Sequence, residues 1–465
     1  MSRATVTRPK RATRPKPSAK DIRTFRSAVN YLDSLTNFER IIGRQYSSSK
    51  FGLARMNRIL SELGNPHREF KSVHIVGTKG KGSTAAMLAC MLRHCGIRVG
   101  LYTSPHILSL RERIVVDGKM ISEAAFARTI AAVAPVTTKA RVPDPTYFEV
   151  ITAAAFKYFA DQEVDLAVVE AGLGGRLDST NVIHPEVVGL TSISLDHFPQ
   201  LGTSLESITK EKVGVFKKKI PVISAPQPPS VREIIREAAD AAAAPLRYSN
   251  EDVAFSYRFE FSRSAGRHAR ICLTTPTSRF EHLHVPLLGE HQAVNCSVAL
   301  GLLDILKQRG FAIDDQLAME GLSHVDLLGR MQVIAESPRI LVDGAHNAAS
   351  VAALMHAIGQ NIAYDSMVVI FACHKDKDIA GMIRRLQLGA DKVIFTSTGS
   401  LRSAEPAELA AQYIEHSGKM AQVASRLDGA MQIALGAVSR EDIICVTGSF
   451  YLVAEAIRKY SNKTS

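Results

Sequence analysis

The chain has 465 residues, 46% of them hydrophobic and 22% charged, which is typical of a globular enzyme with two or three domains. Its net charge of +12 does not indicate a nucleic-acid-binding fold, because seven of these charges lie in residues 1–20, which contain no acid, and +5 remains for the rest. Neither a membrane helix nor a secretory signal is predicted, since no apolar run approaches the roughly 20 residues that a span needs.

The first 20 residues are predicted to form a basic, disordered tail, because they combine these cations with three prolines. In the rest of the chain, the six cysteines show no C-x-x-C spacing and lie mostly in apolar surroundings. We therefore expect free thiols, a reducing compartment and a cytoplasmic location.

Short β-branched segments alternate with Ala- and Leu-rich segments, as in parallel sheets that are covered by helices. Residues 247–288 look like a strand-rich meander, and residues 320–328 interrupt the alternation. We predict an α/β protein with a P-loop-like domain and a mostly parallel sheet over 21–325, and a smaller Rossmann-like domain over 326–465. The main predicted elements are helices at 83–95 and 350–359 and strands at 73–76, 98–103, 165–170, 187–193, 220–224, 339–342, 367–372, 392–396 and 443–447.

The stretch HIVGTKGKGSTAAML, residues 74–88, predicts a phosphate-binding loop of unusual spacing. In the common pattern G-x-x-x-x-G-K-[ST] the lysine directly precedes a hydroxyl residue, whereas here Gly82 separates Lys81 from Ser83. The loop joins a predicted strand to a helix N-terminus, where backbone N–H groups and the helix dipole favour an anion. Because lysines, glycines and hydroxyls are concentrated in eight residues, a plain glycine-rich turn is the weaker interpretation.

Polar side chains lie at the ends of three of the predicted strands: Ser104 and His106 follow the second, Glu170 ends the third, and Asp196–His197 follow the fourth. In open parallel sheets, ligands bind beyond the carboxyl ends of the strands. These donors together predict a Mg²⁺ site near the phosphates. Taken singly, each fits a structural hydrogen bond equally well.

Ten motifs in order resemble the folylpolyglutamate synthase/dihydrofolate synthase family of the Mur ligase superfamily. The phosphate loop of that superfamily reads G-T-x-G-K-x-[ST], which residues 77–83 match. The SPH and GLGGRLDSTN runs distinguish the folate branch from the cell-wall ligases. The motifs are GTKGKGST (77–84), LYTSPHI (101–107), PTYFEV (145–150), VVEAGLGGRLDSTNVI (168–183), TSISLDH (191–197), ITKEKVGVFK (208–217), LGEHQAVN (288–295), GRMQVI (329–334), LVDGAHNAAS (341–350) and VTGSFYLVAEAI (446–457).

The resemblance implies that the protein forms an amide bond at the expense of ATP. ATP phosphorylates the carboxylate of dihydropteroate or of a reduced folate, and the amine of L-glutamate then attacks the acyl phosphate and expels phosphate. Lys81, Lys212 and His346 take the catalytic positions. Lys212 matches a lysine that is carbamylated in the family, and a carbamate binds a cation where an ammonium cannot. Without the resemblance, Lys212 is one lysine of a solvated basic face.

The resemblance also implies three sets of ligand contacts. The Mg²⁺ ligands match Ser104, Glu170, His197 and the carbamate of Lys212. The ATP contacts match Thr78, Lys79, Gly80, Lys81, Gly82, Ser83, Asn295, Arg330 and Asp343. The acceptor contacts match Phe51, Gly52, Leu53, Thr146, Tyr147, Phe148, Glu149, Leu177, Asp178 and Ser179.

Three expectations concern how these residues act. Tyr147 and Phe148 offer faces to an aromatic ring, although core packing is an equal reading of Phe148. Asp178 is expected to accept hydrogen bonds from the N–H groups of a pterin. His346, with its neighbour Asn347, is expected to bind glutamate or the acyl phosphate. We further expect a monomer that uses both dihydropteroate and reduced folates, with no membrane and no specific nucleic-acid partner.

Three alternatives were left open by the sequence. A superfamily ligase acting on a cell-wall precursor usually carries an extra N-terminal substrate domain, for which residues 1–70 are too short. A P-loop nucleotide switch or nucleic-acid-stimulated ATPase requires the common loop spacing and a basic stripe within the fold. A scaffold without catalytic activity is the third alternative. It is disfavoured because a suitable residue occupies every functional position, which a scaffold would not require.

Overall fold

The computed structural model describes residues 21–39, 52–139, 144–195, 201–252, 254–262, 266–285, 288–400 and 402–461. The basic tail and two predicted site residues, Phe51 and His197, lie outside the described residues. The described residues form two large sheets, each covered by helices on both faces, and one small sheet.

The first large sheet contains eight strands and carries most of the predicted site. They are β1 (Lys71–Val76), β2 (Val99–Tyr102), β3 (Ile114–Val116), β4 (Lys119–Met120), β5 (Leu166–Glu170), β6 (Val187–Leu190), β7 (Val222–Ser224) and β8 (Leu246–Tyr248). Their order is β4-β3-β2-β5-β1-β6-β7-β8, and all neighbours from β2 to β8 are parallel. Along β5, Val168 packs into the core on one face and Val169 into the core on the other. Because both faces of the sheet are buried, the sequences of these strands are continuous runs of apolar residues.

Helices pack against both faces of this sheet, and the predicted helix at 83–95 is among them. They are α1 (Phe25–Asp33), α2 (Leu53–Glu62), α3 (Lys81–His94), α4 (Glu123–Lys139), α5 (Tyr147–Asp161), α6 (Leu205–Val213), α7 (Pro229–Ala241), α8 (Glu290–Gln308) and α9 (Asp315–Ser323). Short 3₁₀ helices cover Pro66–Arg68, Leu110–Arg113 and Ser179–Val182.

The predicted meander is confirmed as a three-stranded antiparallel sheet. It is formed by β9 (Ala254–Ser262), β10 (Gly266–Thr274) and β11 (Arg279–Val285). Ile271 and Leu273 of β10 pack into the same core as Leu302 of α8. The small sheet thereby supports α8, which carries Asn295.

The second large sheet belongs to the C-terminal part of the chain and has six strands. They are β12 (Gln332–Glu336), β13 (Arg339–Val342), β14 (Met367–Phe371), β15 (Lys392–Phe395), β16 (Gln422–Val423) and β17 (Ile443–Thr447), in the order β12-β13-β17-β14-β15-β16. Only β12 is antiparallel to its neighbour. Its helices are α10 (Ala348–Asn361), α11 (Ile379–Leu386), α12 (Pro406–Ser417), α13 (Leu427–Leu435) and α14 (Phe450–Tyr460). The predicted fold class, a mostly parallel sheet plus a separate α/β unit, is confirmed.

One difference from the predicted elements bears on the site. The strand predicted at 187–193 ends at Leu190, because the chain then leaves the sheet and the Ser192 carbonyl accepts the backbone N–H groups of Thr78 and Lys79 at 2.9 and 3.2 Å. No helix of the described residues is long and apolar enough to cross a membrane.

Candidate active site

The glycine loop lies between the end of β1 and the start of α3, as predicted. Gly80 has a positive φ of 84°, and a Cβ there would lie 1.9 Å from Oδ1 of Asn295. A Cβ on Gly77 would lie 1.9 Å from Oγ1 of Thr191. At these two positions only glycine lets the loop pass between α8 and the segment after β6. The N–H groups at the start of α3 are then available to bind an anion.

The loop is held from two sides. The Thr78 hydroxyl donates to the Ser194 carbonyl and accepts the Ser194 N–H, both at 3.2 Å. On the other side, the Thr84 hydroxyl donates to the carbonyl of Asn295 at 3.3 Å, and the Asn295 amide donates to Oε1 of Gln292 at 3.0 Å. Thr78 and Asn295, both predicted nucleotide contacts, thus also determine where the loop lies.

Glu170 is the buried carboxylate at the centre of the predicted metal site. Its side chain is 5% exposed, its Oε1 lies 4.0 Å from Nζ of Lys81, and its Oε2 accepts the backbone N–H of Ser104 at 2.9 Å. Burial raises the pKa of Glu170, while the cations of Lys81, Arg330 and Arg113 act in the opposite direction. Such a carboxylate gains most from a divalent cation, so Glu170 and Ser104 fit the predicted metal.

Lys212 reaches the phosphate loop from α6. Its side chain is buried, and its Nζ donates to the carbonyl of Gly77 in the phosphate loop at 2.7 Å. Among the described residues, no group of three His, Cys, Asp or Glu could hold a metal ion. The predicted metal ligands would not form such a group, because two of them are a serine and a modified lysine. A third ligand, His197, lies outside the described residues.

The C-terminal half contributes Arg330, which is brought into the field of Glu170. Burial lowers the pKa of this guanidinium, and Asp343 and Glu170 oppose that shift. The Arg330 guanidinium lies 4.5 Å from the centre of the Phe450 ring, a cation–π contact that orients it. Asp343 is buried, and its two oxygens accept the backbone N–H groups of Met331 and Ala345 at 2.9 and 2.8 Å.

His346 lies beside the same aromatic ring. Its ring centre is 5.4 Å from that of Phe450, and its Nδ1 contacts the Gly344 carbonyl at 2.8 Å. Since a carbonyl only accepts, Nδ1 carries the proton and Nε2 is the basic nitrogen of neutral His346. Asn347 instead caps α10, where its side chain accepts the N–H of Ser350 at 2.9 Å.

A cavity of about 170 Å³ adjoins these residues. It is lined by Leu288, Gln292, Val325, Asp326, Leu327, Arg330, Met331 and Gln332. Gln292 is the hydrogen-bond partner of Asn295, so the cavity opens beside the residue predicted to lie near the nucleotide base.

The predicted acceptor residues of α5 divide into structural and accessible ones. Thr146 and Glu149 form a capping box, in which Thr146 Oγ1 accepts the Glu149 N–H and Glu149 Oε2 accepts the Thr146 N–H. Tyr147 is 2% exposed and packs within the core, contrary to the prediction that its ring offers a face to the substrate. Phe148 is half-buried, and its ring lies against Gly172. A Cβ added to Gly172 would lie 2.5 Å from Cζ of Phe148.

Asp178 differs most from its predicted role. Its Oδ1 accepts the Thr180 N–H and hydroxyl at 3.0 and 2.6 Å, and its Oδ2 accepts the Leu173 N–H at 2.8 Å. A further backbone hydrogen bond comes from Gly172. Because a carboxylate accepts about four hydrogen bonds, this one is already occupied in holding its own loop. Leu177 and Ser179 flank it, and Gly52 and Leu53 lie at the start of α2.

Two further residues were missed by the sequence reasoning. Phe450 supports both Arg330 and His346, and Arg113 is a fully buried arginine whose charge lowers the pKa of Glu170. Burial of an arginine has no signature in the sequence, since the run RER at 111–113 reads as a charged surface turn.

Comparisons with known proteins show which family the chain resembles. The family model "Mur ligase middle domain" matches residues 75–303, and "Mur ligase, glutamate ligase domain" matches residues 329–450. The dihydrofolate synthase/folylpolyglutamate synthase of Bacillus subtilis is 33% identical over 424 residues, 90% of this chain and 97% of the relative.

Two solved structures are also similar over most of the chain. FolC of Escherichia coli in complex with DHPP and ADP superposes with a TM-score of 0.82 at 28% identity, covering 97% of this chain and 100% of that one. A bifunctional folylpolyglutamate synthase/dihydrofolate synthase of Yersinia pestis, complexed with AMPPNP and Mn ion, has a TM-score of 0.78 at 28% identity and covers 95% and 98% of the two chains.

Proposed function

This chain belongs to the folylpolyglutamate synthase/dihydrofolate synthase family of Mur ligases, and we propose that it adds L-glutamate both to dihydropteroate and to reduced folates. It is an ATP-dependent ligase that joins L-glutamate to a folate-type carboxylate. The observation that carries this function is the buried Glu170, which lies 4.0 Å from Lys81 of the phosphate loop and interacts with the charge of Arg330 from the C-terminal half.

The chain binds ATP and a divalent cation, and we propose that this cation is Mg²⁺. Glu170 and Ser104 would hold it together with His197 and with Lys212 as its carbamate. When bound, the cation would supply positive charge to the phosphate oxygens and to the carboxylate of Glu170. Support comes from the burial of Glu170 and from the position of Lys212 against the phosphate loop.

The chain's own residues account for binding and orientation of the phosphates. We propose that the N–H groups at the start of α3 and the Lys81 ammonium hold the β- and γ-phosphates, and that Arg330 neutralises charge on the transferred phosphoryl group. Arg330 belongs to the proposed domain 326–465 and Lys81 to the proposed domain 21–325. Closure of these two domains would complete the site and exclude the water that hydrolyses an acyl phosphate.

His346 is proposed to take the proton that the attacking amine of L-glutamate releases. The Gly344 carbonyl fixes the proton of the neutral ring on Nδ1, which makes Nε2 the acceptor. The Phe450 ring packs beside the imidazole and restricts its rotation. Asp343, whose oxygens hold the backbone of Met331 and Ala345, would keep Arg330 and His346 in register and contact the nucleotide from the same loop.

Phe148, Leu177, Ser179 and the start of α2 remain the proposed contacts of the acceptor, with Tyr147 and Asp178 shaping the pocket from behind. That both acceptors are used is supported by the name of the Bacillus subtilis relative, which joins the two activities, and by the Escherichia coli structure with DHPP. We also propose that the protein is a monomer. We further propose that it lies in the cytoplasm, which is consistent with its six free cysteines.

Release of phosphate from ATP tests the function directly. The assay contains L-glutamate and one acceptor from a panel of dihydropteroate, tetrahydrofolate and a muramyl precursor. We expect turnover with the first two and none with the third. Turnover with tetrahydrofolate alone would remove dihydropteroate from the proposal, and turnover with the muramyl precursor alone would replace the acceptor class.

A further inference from the structure

Arg113 is a buried arginine that joins three segments around the acceptor pocket. Its side chain is 1% exposed, and both terminal nitrogens donate to the carboxylate of Glu39 at 2.8 Å. Its guanidinium lies 5.5 Å from the centre of the Tyr147 ring, and its Nε contacts Nδ1 of His106 at 3.1 Å. One side chain thus connects the segment that carries Glu39, the start of α5 and the loop after β2.

The segment that carries Glu39 also runs along the start of α5. Thr36 and Thr146 form a parallel bridge, and the Tyr147 N–H donates to the Thr36 carbonyl at 3.0 Å. A displacement of this segment would therefore move both the helix cap and the carboxylate that balances Arg113.

Glu39 is held from the C-terminal half of the chain by Arg402, which lies in the loop after β15. Nη1 of Arg402 donates to the main-chain carbonyl of Glu39 at 2.7 Å, and Nη2 donates to Oδ2 of Asp376 at 2.7 Å. Backbone hydrogen bonds fix this loop, including that from Lys375 N–H to the Arg402 carbonyl at 2.9 Å. A continuous series of contacts consequently leads from Asp376 across to Tyr147.

We propose that Arg402 is a positioning residue for the acceptor, which holds Glu39 and, through Glu39 and Arg113, fixes the start of α5. The inference rests on the proposed function, because it takes the start of α5 as a wall of the acceptor pocket. The coupling is tight for a physical reason: a buried guanidinium that loses its carboxylate is strongly unfavourable, so Arg113 follows Glu39 when Glu39 moves. The acceptor pocket is then complete only when the two halves of the chain are in contact.

The variant Arg402→Ala tests this inference by the separation of kinetic constants. Since it removes a charge-assisted hydrogen bond, we expect the KM for tetrahydrofolate to rise about tenfold. The KM for ATP should stay within about twofold, because the series acts on the phosphate site only through the charge of Arg113 on Glu170, and the variant keeps that charge. Arg402→Lys retains a donor and should recover part of the acceptor affinity, and it also serves if the alanine variant does not fold.

Arg458→Ala is the matched control. Nη2 of Arg458 donates to the main-chain carbonyl of Leu108 at 2.8 Å, a bond of similar length between the same two halves that does not involve Glu39. This variant should keep the KM for tetrahydrofolate within about twofold. An equal rise in both variants would show a general loss of contact between the halves and overturn the inference.

A double-mutant cycle with Tyr147→Leu tests the route. If Arg402 acts through Arg113 and Tyr147, adding Arg402→Ala to Tyr147→Leu should change the acceptor KM less than about twofold, whereas independent residues give the full tenfold. Additive effects would overturn the inference. An unchanged KM in Arg402→Ala, in an enzyme that turns over folates, would also overturn it while leaving the proposed function intact. Turnover of a different acceptor would refute the function, and the KM for that acceptor would still decide the role of Arg402.

Discussion

Replacing Lys212 by alanine is expected to lower turnover far more than stability. In the folded chain its Nζ donates to the Gly77 carbonyl at 2.7 Å. Loss of such a charge-assisted hydrogen bond costs about 1.5–3 kcal/mol, and part of this is offset because an ammonium no longer has to be buried. For a chain of this size, we expect a fall in melting temperature of about 5 °C or less.

The expected loss of turnover is about 10²–10³-fold, because removal of one preorganised electrostatic contact at a reacting centre typically costs about 3–4 kcal/mol. The assay is phosphate release at saturating ATP, L-glutamate and tetrahydrofolate, with thermal melts of the same samples. Lys210→Ala is the control, since Lys210 lies on the same helix but is exposed. Added formate or acetate should restore part of the activity of Lys212→Ala, as each supplies the carboxylate that the carbamate would provide.

The alternative is that Lys212 only anchors Gly77 as an ammonium. In that case turnover of Lys212→Ala stays within about tenfold of wild type, as for the loss of one hydrogen bond, and carboxylates restore nothing. Wild type would also keep full activity in buffer depleted of CO₂. Any of these results would refute the carbamate.

Four other predictions follow from the site and from the tail. Lys81→Ala should abolish turnover with a melting temperature close to wild type, because the ammonium is partly exposed at the phosphate loop, and near-normal turnover at saturating ATP would refute the phosphate site. Asp178→Ala should raise the KM for dihydropteroate and tetrahydrofolate alike, because the carboxylate holds its own loop, whereas an effect on dihydropteroate alone would indicate direct contact with the pterin. Burial and the Lys217 ammonium lower the pKa of His74 to about 3, so stability should fall by up to about 1.4 kcal/mol per pH unit as pH drops from about 6.5 toward 3; chemical unfolding of His74→Gln should show a shallower slope. Removal of residues 1–18 should leave turnover and melting temperature almost unchanged, and a collapse of activity would place the tail in the site.

The position of the site could be predicted because the rule for parallel sheets is topological. Strands β1, β2 and β5 are neighbours, so Ser104 and Glu170, which follow or end β2 and β5, had to meet near the glycine loop. The contribution of Arg330 could not be obtained in this way. Arg330 follows the strands of the first sheet in sequence. Its approach to Glu170 therefore depends on how the C-terminal half of the chain packs against that sheet.

The roles of individual acceptor residues were less predictable, since polar side chains near a pocket also satisfy backbone groups. The run Thr146-Tyr-Phe-Glu149 is a capping box, a signature of a helix start, but it was interpreted as substrate binding. Asp178 followed by Thr180 likewise fits a helix cap. Both cases have one cause: the sequence motif shows which polar residues are present, whereas only the hydrogen bonds show which backbone groups they hold.

The unusual spacing of the phosphate loop has a structural explanation of the same kind. Helix α3 begins at Lys81, so Gly82 lies in its first turn rather than before it. A Cβ on Gly82 would lie 3.4 Å from Oε2 of Glu170, already at contact distance. Any longer side chain would occupy the space beside the carboxylate where we propose that the cation and the phosphates bind. The glycine after the lysine is therefore a consequence of placing a buried carboxylate against the first turn of α3, the helix proposed to bind the phosphates.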